Sequence, residues 1–172
     1  MSAVNRFTTL FDPAEDRIKL LLELKTGEVQ VLWLTRRLLN RLLPPLLGGL
    51  EAAPAVQTVP KPQAQAVQRF NQAAAVGGMQ RQKAVTPTRE APQKQIAMLV
   101  TSVDIRAGQS NRILDLKGGK DILQSLPFSE EALRQWLDVV HSQYRNAGWS
   151  EPFWPSWMEP LMQDESPDLR LN

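Results

Sequence analysis

His141 is the only histidine in 172 residues, and the chain has no cysteine. A general base needs an orienting partner and a nucleophile or substrate within reach, and no motif of that kind surrounds His141. It lies four residues past Leu137, at the edge of an apolar helical stripe, where a structural or solvated imidazole is the simpler reading. One histidine and no thiol exclude a multi-histidine cage, a thiolate zinc site, an iron–sulfur cluster and a cysteine nucleophile. No metal and no cofactor are expected. Glu130 and Glu131 form a carboxylate pair, but Ser129 precedes them and a helical apolar period follows. That places them in a helix's first turn, where carboxylates offset the helix dipole. Lys117-Gly118-Gly119-Lys120 lacks the spacing of a phosphate loop and its hydroxyl after lysine, and it joins two strand-like runs instead of opening a helix. An enzyme is not expected.

The remaining candidates are binding residues. Arg36, Arg37 and Arg41 read as the polar face of a helix, and Arg69, Arg81 and Lys83 follow in a basic stretch. Together they could form a phosphate-contacting strip, although no aromatics are interleaved as in single-strand binders. The densest apolar signal lies further on. Trp149, Phe153, Trp154, Trp157 and Met158 are crowded among Pro152, Pro155 and Pro160, with three of the chain's five tryptophans. Proline rules out a regular helix or central strand, so an extended or turn-rich arm is expected. A large apolar patch is rarely left in water, so the arm either folds back over its own domain or docks on a partner or second copy. Pro44, Pro45, Leu46 and Leu47 supply a second candidate docking segment.

The elements that must position these residues fall into compositionally distinct stretches. Hydrophobic residues make up 42% and charged residues 22% of the chain, which excludes wholesale disorder. A net charge of +2 argues against a dedicated polyanion binder, but it is unevenly spread. Residues 1–51 carry a net +1, residues 52–98 a net +5 and residues 99–172 a net −4. Residues 52–95 contain ten Ala, nine Gln and five Pro, with Phe70 the only aromatic. Such a stretch buries too little to offset an ordering cost of about 1–2 kcal/mol per residue, so a mobile basic linker is expected. Within it, residues 63–76 are helix formers with Val67 and Phe70 three apart and Gly77-Gly78 as a stop, a helix that could order on a partner. The N-terminal residues show no apolar run of signal length, and the longest apolar stretch, residues 42–50, is too short to span a bilayer. A cytoplasmic protein without a membrane span is expected.

The flanking stretches resemble each other. Leu22-Glu23-Leu24-Lys25-Thr26-Gly27-Glu28 parallels Leu114-Asp115-Leu116-Lys117-Gly118-Gly119-Lys120, a displacement of 92 residues. In each, an alternating run ends at a glycine turn and a second run follows, then a hydroxyl residue, Thr35 or Ser129, and an amphipathic helix. Residues 7–11 and 96–105 supply one further strand apiece. The helix after Ser129 has a clear stop at Gly148, whereas Pro44-Pro45 should kink or end the first helix near Leu43. The expected fold is α+β. Antiparallel strands come from two related strand-strand-strand-helix halves, residues 1–51 and 96–148, which share one core. A long flexible insertion, residues 52–95, separates them, and residues 149–172 form the arm. The expected function is that of a non-enzymatic protein-interaction or adaptor protein, with a protein partner or self-association through the Trp/Pro and Leu/Pro segments. The alternative is an accessory nucleic-acid-binding protein.

Overall fold

A computed structural model of the chain describes residues 2–52, 59–79 and 96–159. Strands β1 (Val4–Asp12), β2 (Arg17–Leu24) and β3 (Val29–Leu34) form an antiparallel meander, and β4 (Ile96–Leu99) joins β3 in parallel. A second sheet holds β5 (Ser102–Ala107), β6 (Asn111–Gly118) and β7 (Asp121–Ser129), all antiparallel and in that order. Helix α1 (Arg36–Glu51) follows β3, α2 (Lys61–Gly77) follows α1, and α3 (Glu130–Ala147) follows β7. The fold is α+β; residues 1–51 run strand, strand, strand, helix, whereas residues 96–148, expected to match them, run four strands, β4 to β7, before α3.

Local chemistry explains most of these boundaries. Gly27 and Gly119 close the two hairpins with φ of 85° and 67°, a conformation that costs glycine nothing. Thr35 Oγ1 accepts from Leu38 N–H at 3.2 Å, and Ser129 Oγ accepts from Ala132 N–H at 3.1 Å, capping α1 and α3 alike. The hairpin registers refine the sequence comparison. Leu20 pairs with Leu32 and Leu22 with Gln30, while Leu114 pairs with Leu126 and Leu116 with Gln124. Each residue of the second set stands 94 positions after its counterpart, as Ser129 stands after Thr35. The two-residue discrepancy therefore lies in the turns. Beyond the Glu23–Val29 pair, Leu24 N–H donates to Glu28 O at 2.9 Å and leaves Lys25-Thr26-Gly27 at the first tip, whereas Gly118 and Asp121 leave only Gly119-Lys120.

Two local expectations change. The run 96–105 is not one strand but two, because the chain changes sheets between neighbouring residues. Val100 N–H donates to Trp33 O at 3.0 Å, and Thr101 N–H donates to Lys117 O at 2.8 Å. Helix α1 also continues through Pro44 and Pro45. Both prolines are exposed, so the carbonyls they deprive of partners can meet water, while Leu46, Leu47 and Leu50 beyond them are buried. Burial of that face outweighs the lost hydrogen bonds.

Within residues 52–95, expected as a mobile linker, residues 61–77 form α2; residues 53–58 and 80–95 lie outside the described residues. The composition argument counted apolar surface, and α2 docks with little of it. Its buried residues are Gln68, Gln72 and Ala75. Side chains from both sheets, α1, α3 and the arm make one core cluster, including Ile18, Leu32, Leu43, Leu46, Leu114, Phe128, Trp136, Leu137 and Trp157.

Candidate interaction site

Helix α3 ends at Gly148, which adopts φ 68°. Its N–H donates to Arg145 O at 3.1 Å, and Trp149 N–H donates to Tyr144 O at 2.9 Å, a closure that turns the chain back on the helix it has left. The arm's contacts then move down α3. Trp149 stands edge-on to Tyr144 and Phe11, Trp154 lies over His141 with ring centroids 4.5 Å apart, and the Arg134 guanidinium lies 5.5 Å from the centre of the Trp157 ring. A single 3-10 turn, Ser156–Met158, ends the described arm. There Trp157 Nε1 donates to Glu51 Oε1 at 2.9 Å, and Arg69 Nη2 donates to Ser156 O at 3.3 Å. The arm thus ties together all three helices.

Between the arm and the C-terminal end of α3 lies an open groove of about 510 Å³. Tyr144, Trp149 and Trp154 give it aromatic walls, and Arg145, Glu151 and Glu159 line it with charge. Tyr144 is fixed by its hydroxyl, which donates to Asn40 Oδ1 at 2.8 Å, and burial pushes its pKa above the ordinary phenol range. Arg36 Nε donates to Glu151 Oε1 at 2.6 Å, and its guanidinium also lies over the Trp149 ring. Hydrogen bonds from Asn40 and Arg36 hold the Glu151 carboxyl below its ordinary pKa. His141 is held below its ordinary pKa by burial first and then by Arg145, against the pull of Glu159 and Asp138. The imidazole is therefore neutral near pH 7, and its 3.5 Å approach to Glu159 is not an ion pair under those conditions. Trp154 Nε1 is buried with no hydrogen-bond partner, a donor left unused beside the groove.

The sequence candidates divide sharply. Trp157, Met158, Leu46 and Leu47 are buried in the core and present no docking surface of their own, and Trp149, also buried, meets solvent only at the wall of the groove. Of the two outcomes open to the arm, folding back on its own domain is the one observed for residues 149–159. Phe153 and Trp154 stay partly exposed, and Pro44 and Pro45 are exposed on α1. The basic strip is not assembled. Arg36 is turned to Glu151 and Arg69 to Ser156, while Arg37 and Arg41 remain exposed one turn apart on α1. Arg81 and Lys83 lie outside the described residues.

The sequence reading missed a buried polar node. Arg134 Nη2 donates to Gln68 Oε1 at 2.6 Å, Gln68 Nε2 to Leu50 O at 2.7 Å, and Gln72 Nε2 to Arg134 O at 3.0 Å. The signal was there in the spacing of Gln68, Gln72 and Ala75, which fall on one helical face. Among the described residues no cluster of His, Cys, Asp and Glu could hold a metal ion, and no helix is long and apolar enough to cross a membrane. No match to this chain was found among protein-family models, curated proteins or solved structures.

Proposed function

We propose that this protein is a non-enzymatic interaction protein acting in the cytoplasm, and that the groove beside Trp154 receives an extended segment of a protein partner. The observation that carries this reading is the open groove of about 510 Å³ with aromatic walls at Tyr144, Trp149 and Trp154. Aromatic faces favour a neighbouring cation, helped by the carboxylate of the half-exposed Glu159. The ligand is accordingly an extended peptide with an apolar residue next to Lys or Arg. The units β1-β2-β3-α1 and β5-β6-β7-α3 are read as copies of one ancestral unit, a reading supported by the constant 94-residue displacement between residues paired in their hairpins. Duplication gives this architecture its shared core, and the arm adds the groove.

Selection of displayed random peptides on the intact protein tests the docking reading. Enriched sequences should pair a cation with an apolar residue and should quench tryptophan fluorescence on binding. Trp154→Ala removes one aromatic wall of the groove, so it should weaken binding of cationic peptides about tenfold. Equal binding by Trp154→Ala, or no enrichment at all, would count against the groove. If oligonucleotides bind instead, with affinity falling steeply in salt, the nucleic-acid alternative stands.

A further inference from the structure

Among the described residues the two sheets have four edges, and three carry a device against further strand pairing. β1 has a register break between Val4 and Arg6, β7 contains Pro127, and β4 is four residues long. β5 has none of these: its register with β6 is unbroken, and it contains no proline. Its core-facing residues at the open side, Val103, Ile105 and Ala107, are all apolar, and Ile105 is 39% exposed. An inward-pointing charge on the strand would protect such an edge, and β5 itself carries none.

The backbone phase is set at the hairpin. Gly108 N–H donates to Asn111 O at 2.7 Å, so in steps of two Arg106, Asp104 and Ser102 turn their amide groups toward β6. Val103, Ile105 and Ala107 turn theirs to the open side. On the outer face Asp104 and Arg106 flank Ile105 with opposite charges, each more than half exposed beyond its contact with Lys117 or Asp115.

We propose that β5 pairs antiparallel with β5 of a second copy of this chain, about a two-fold axis at Ile105. Ile105 then faces the second copy's Ile105, and Val103 faces the second copy's Ala107. Those are the residues whose amide groups point outward, so roughly six backbone hydrogen bonds form. The same register sets Asp104 opposite the second copy's Arg106, and Arg106 opposite its Asp104. With Lys117 and Asp115 already paired to these residues, a row of alternating charge runs across the junction. On the core face, the second copy's Ile105 and Ala107 come beside the hollow of about 400 Å³ lined by apolar Leu38, Leu42 and Val103 and by charged Arg41 and Asp104. Other registers lose either the charge match or the amide match. The self-complementarity therefore selects a second copy over an unrelated strand.

The full chain, which has no native cysteine, tests this cleanly. Ile105→Cys should give a disulfide-linked dimer on mild oxidation, because a hydrogen-bonded antiparallel pair sets Cα atoms about 5.5 Å apart. Ile122→Cys, at a comparably exposed isoleucine away from the junction, should not cross-link. In sedimentation the unmodified chain should show a concentration-dependent dimer. Ile105→Pro, which removes an amide that β6 does not use, should raise the dissociation constant at least tenfold. Asp104→Lys should weaken the dimer several-fold at low salt and less at high salt. Arg106 is kept intact because it and Ser125 hold the buried Asp115 carboxyl down to about 2. A chain that stays monomeric at millimolar concentration, a dimer indifferent to Ile105→Pro, or equal cross-linking at positions 105 and 122 would overturn the proposal. If Ile105→Pro fails to fold, the two cysteine variants decide.

Discussion

Helices α1 and α2 lie against the same body by opposite chemistry. α1 buries Leu39, Leu42, Leu43, Leu46, Leu47 and Leu50 and turns Pro44 and Pro45 to water. α2 buries Gln68, Gln72 and Ala75 and leaves Phe70 73% exposed and Val67 36% exposed. Apolar docking is non-directional and roughly proportional to buried area, so α1 tolerates even two prolines. Polar docking depends on each hydrogen bond being made, and at α2 some are not. Arg134 Nη1, Gln72 Oε1 and Arg69 Nε are buried without partners. α1 should therefore belong to the globally cooperative unit, whereas α2 should open separately at lower free energy.

The largest effect should come from α1. Leu43 is fully buried, and Leu43→Ala should lower global stability by about 2–5 kcal/mol, the range for emptying a leucine site in a packed core. In denaturant titrations the signals of both sheets and α3 should move together. A loss confined to α1 would mean that the two halves do not share a cooperative core.

Arg134→Met should act on the other helix. The change leaves Gln68 Oε1 without its 2.6 Å donor and removes the cation from the Trp157 ring. An unsatisfied buried acceptor costs about 1–3 kcal/mol, and here that cost should fall on α2. Hydrogen exchange should show amides of residues 64–77 losing protection while those of α1 and α3 keep theirs. Uniform loss along all three helices would place the Arg134 node inside the global unit and erase the contrast.

The contrast also marks what could be read from the sequence. Hairpins at Gly27 and Gly119, caps at Thr35 and Ser129 and the stop at Gly148 are each set by a few neighbouring residues, and all were legible. So was the apolar character of the arm, though not the direction in which it would fold. The continuation of α1 past Pro44-Pro45 was not legible, because it depends on what Leu46, Leu47 and Leu50 meet in space. The change of sheets at Val100-Thr101 requires knowing where Trp33 and Lys117 lie. The helical run of α2 and its stop at Gly77-Gly78 were legible, but its docking was the hardest case. Its docking residues are glutamines in a stretch of low complexity, and their partners, Leu50 O and Arg134, come from helices on either side in sequence. The groove at Trp154 joins residues of α3 and the arm, so its walls could be named in advance but not its shape.

The smallest effect should belong to Phe70, the side chain that composition marked out in residues 52–95. In an apolar-docked helix Phe→Ala would cost about 3–5 kcal/mol. On α2 the ring has little to lose, because it is 73% exposed. Alanine is also the better helix former by a few tenths of a kcal/mol, which offsets what contact remains. Phe70→Ala should therefore change stability by no more than about 0.5 kcal/mol, with protection of α2 amides unchanged. Thermal melts and hydrogen exchange on the full chain measure both. A drop of several degrees together with lost protection in α2 would mean that Phe70 packs against something in solution. The outer face of α2 would then be an apolar interface, and the difference between the two helices would be one of partner instead of chemistry.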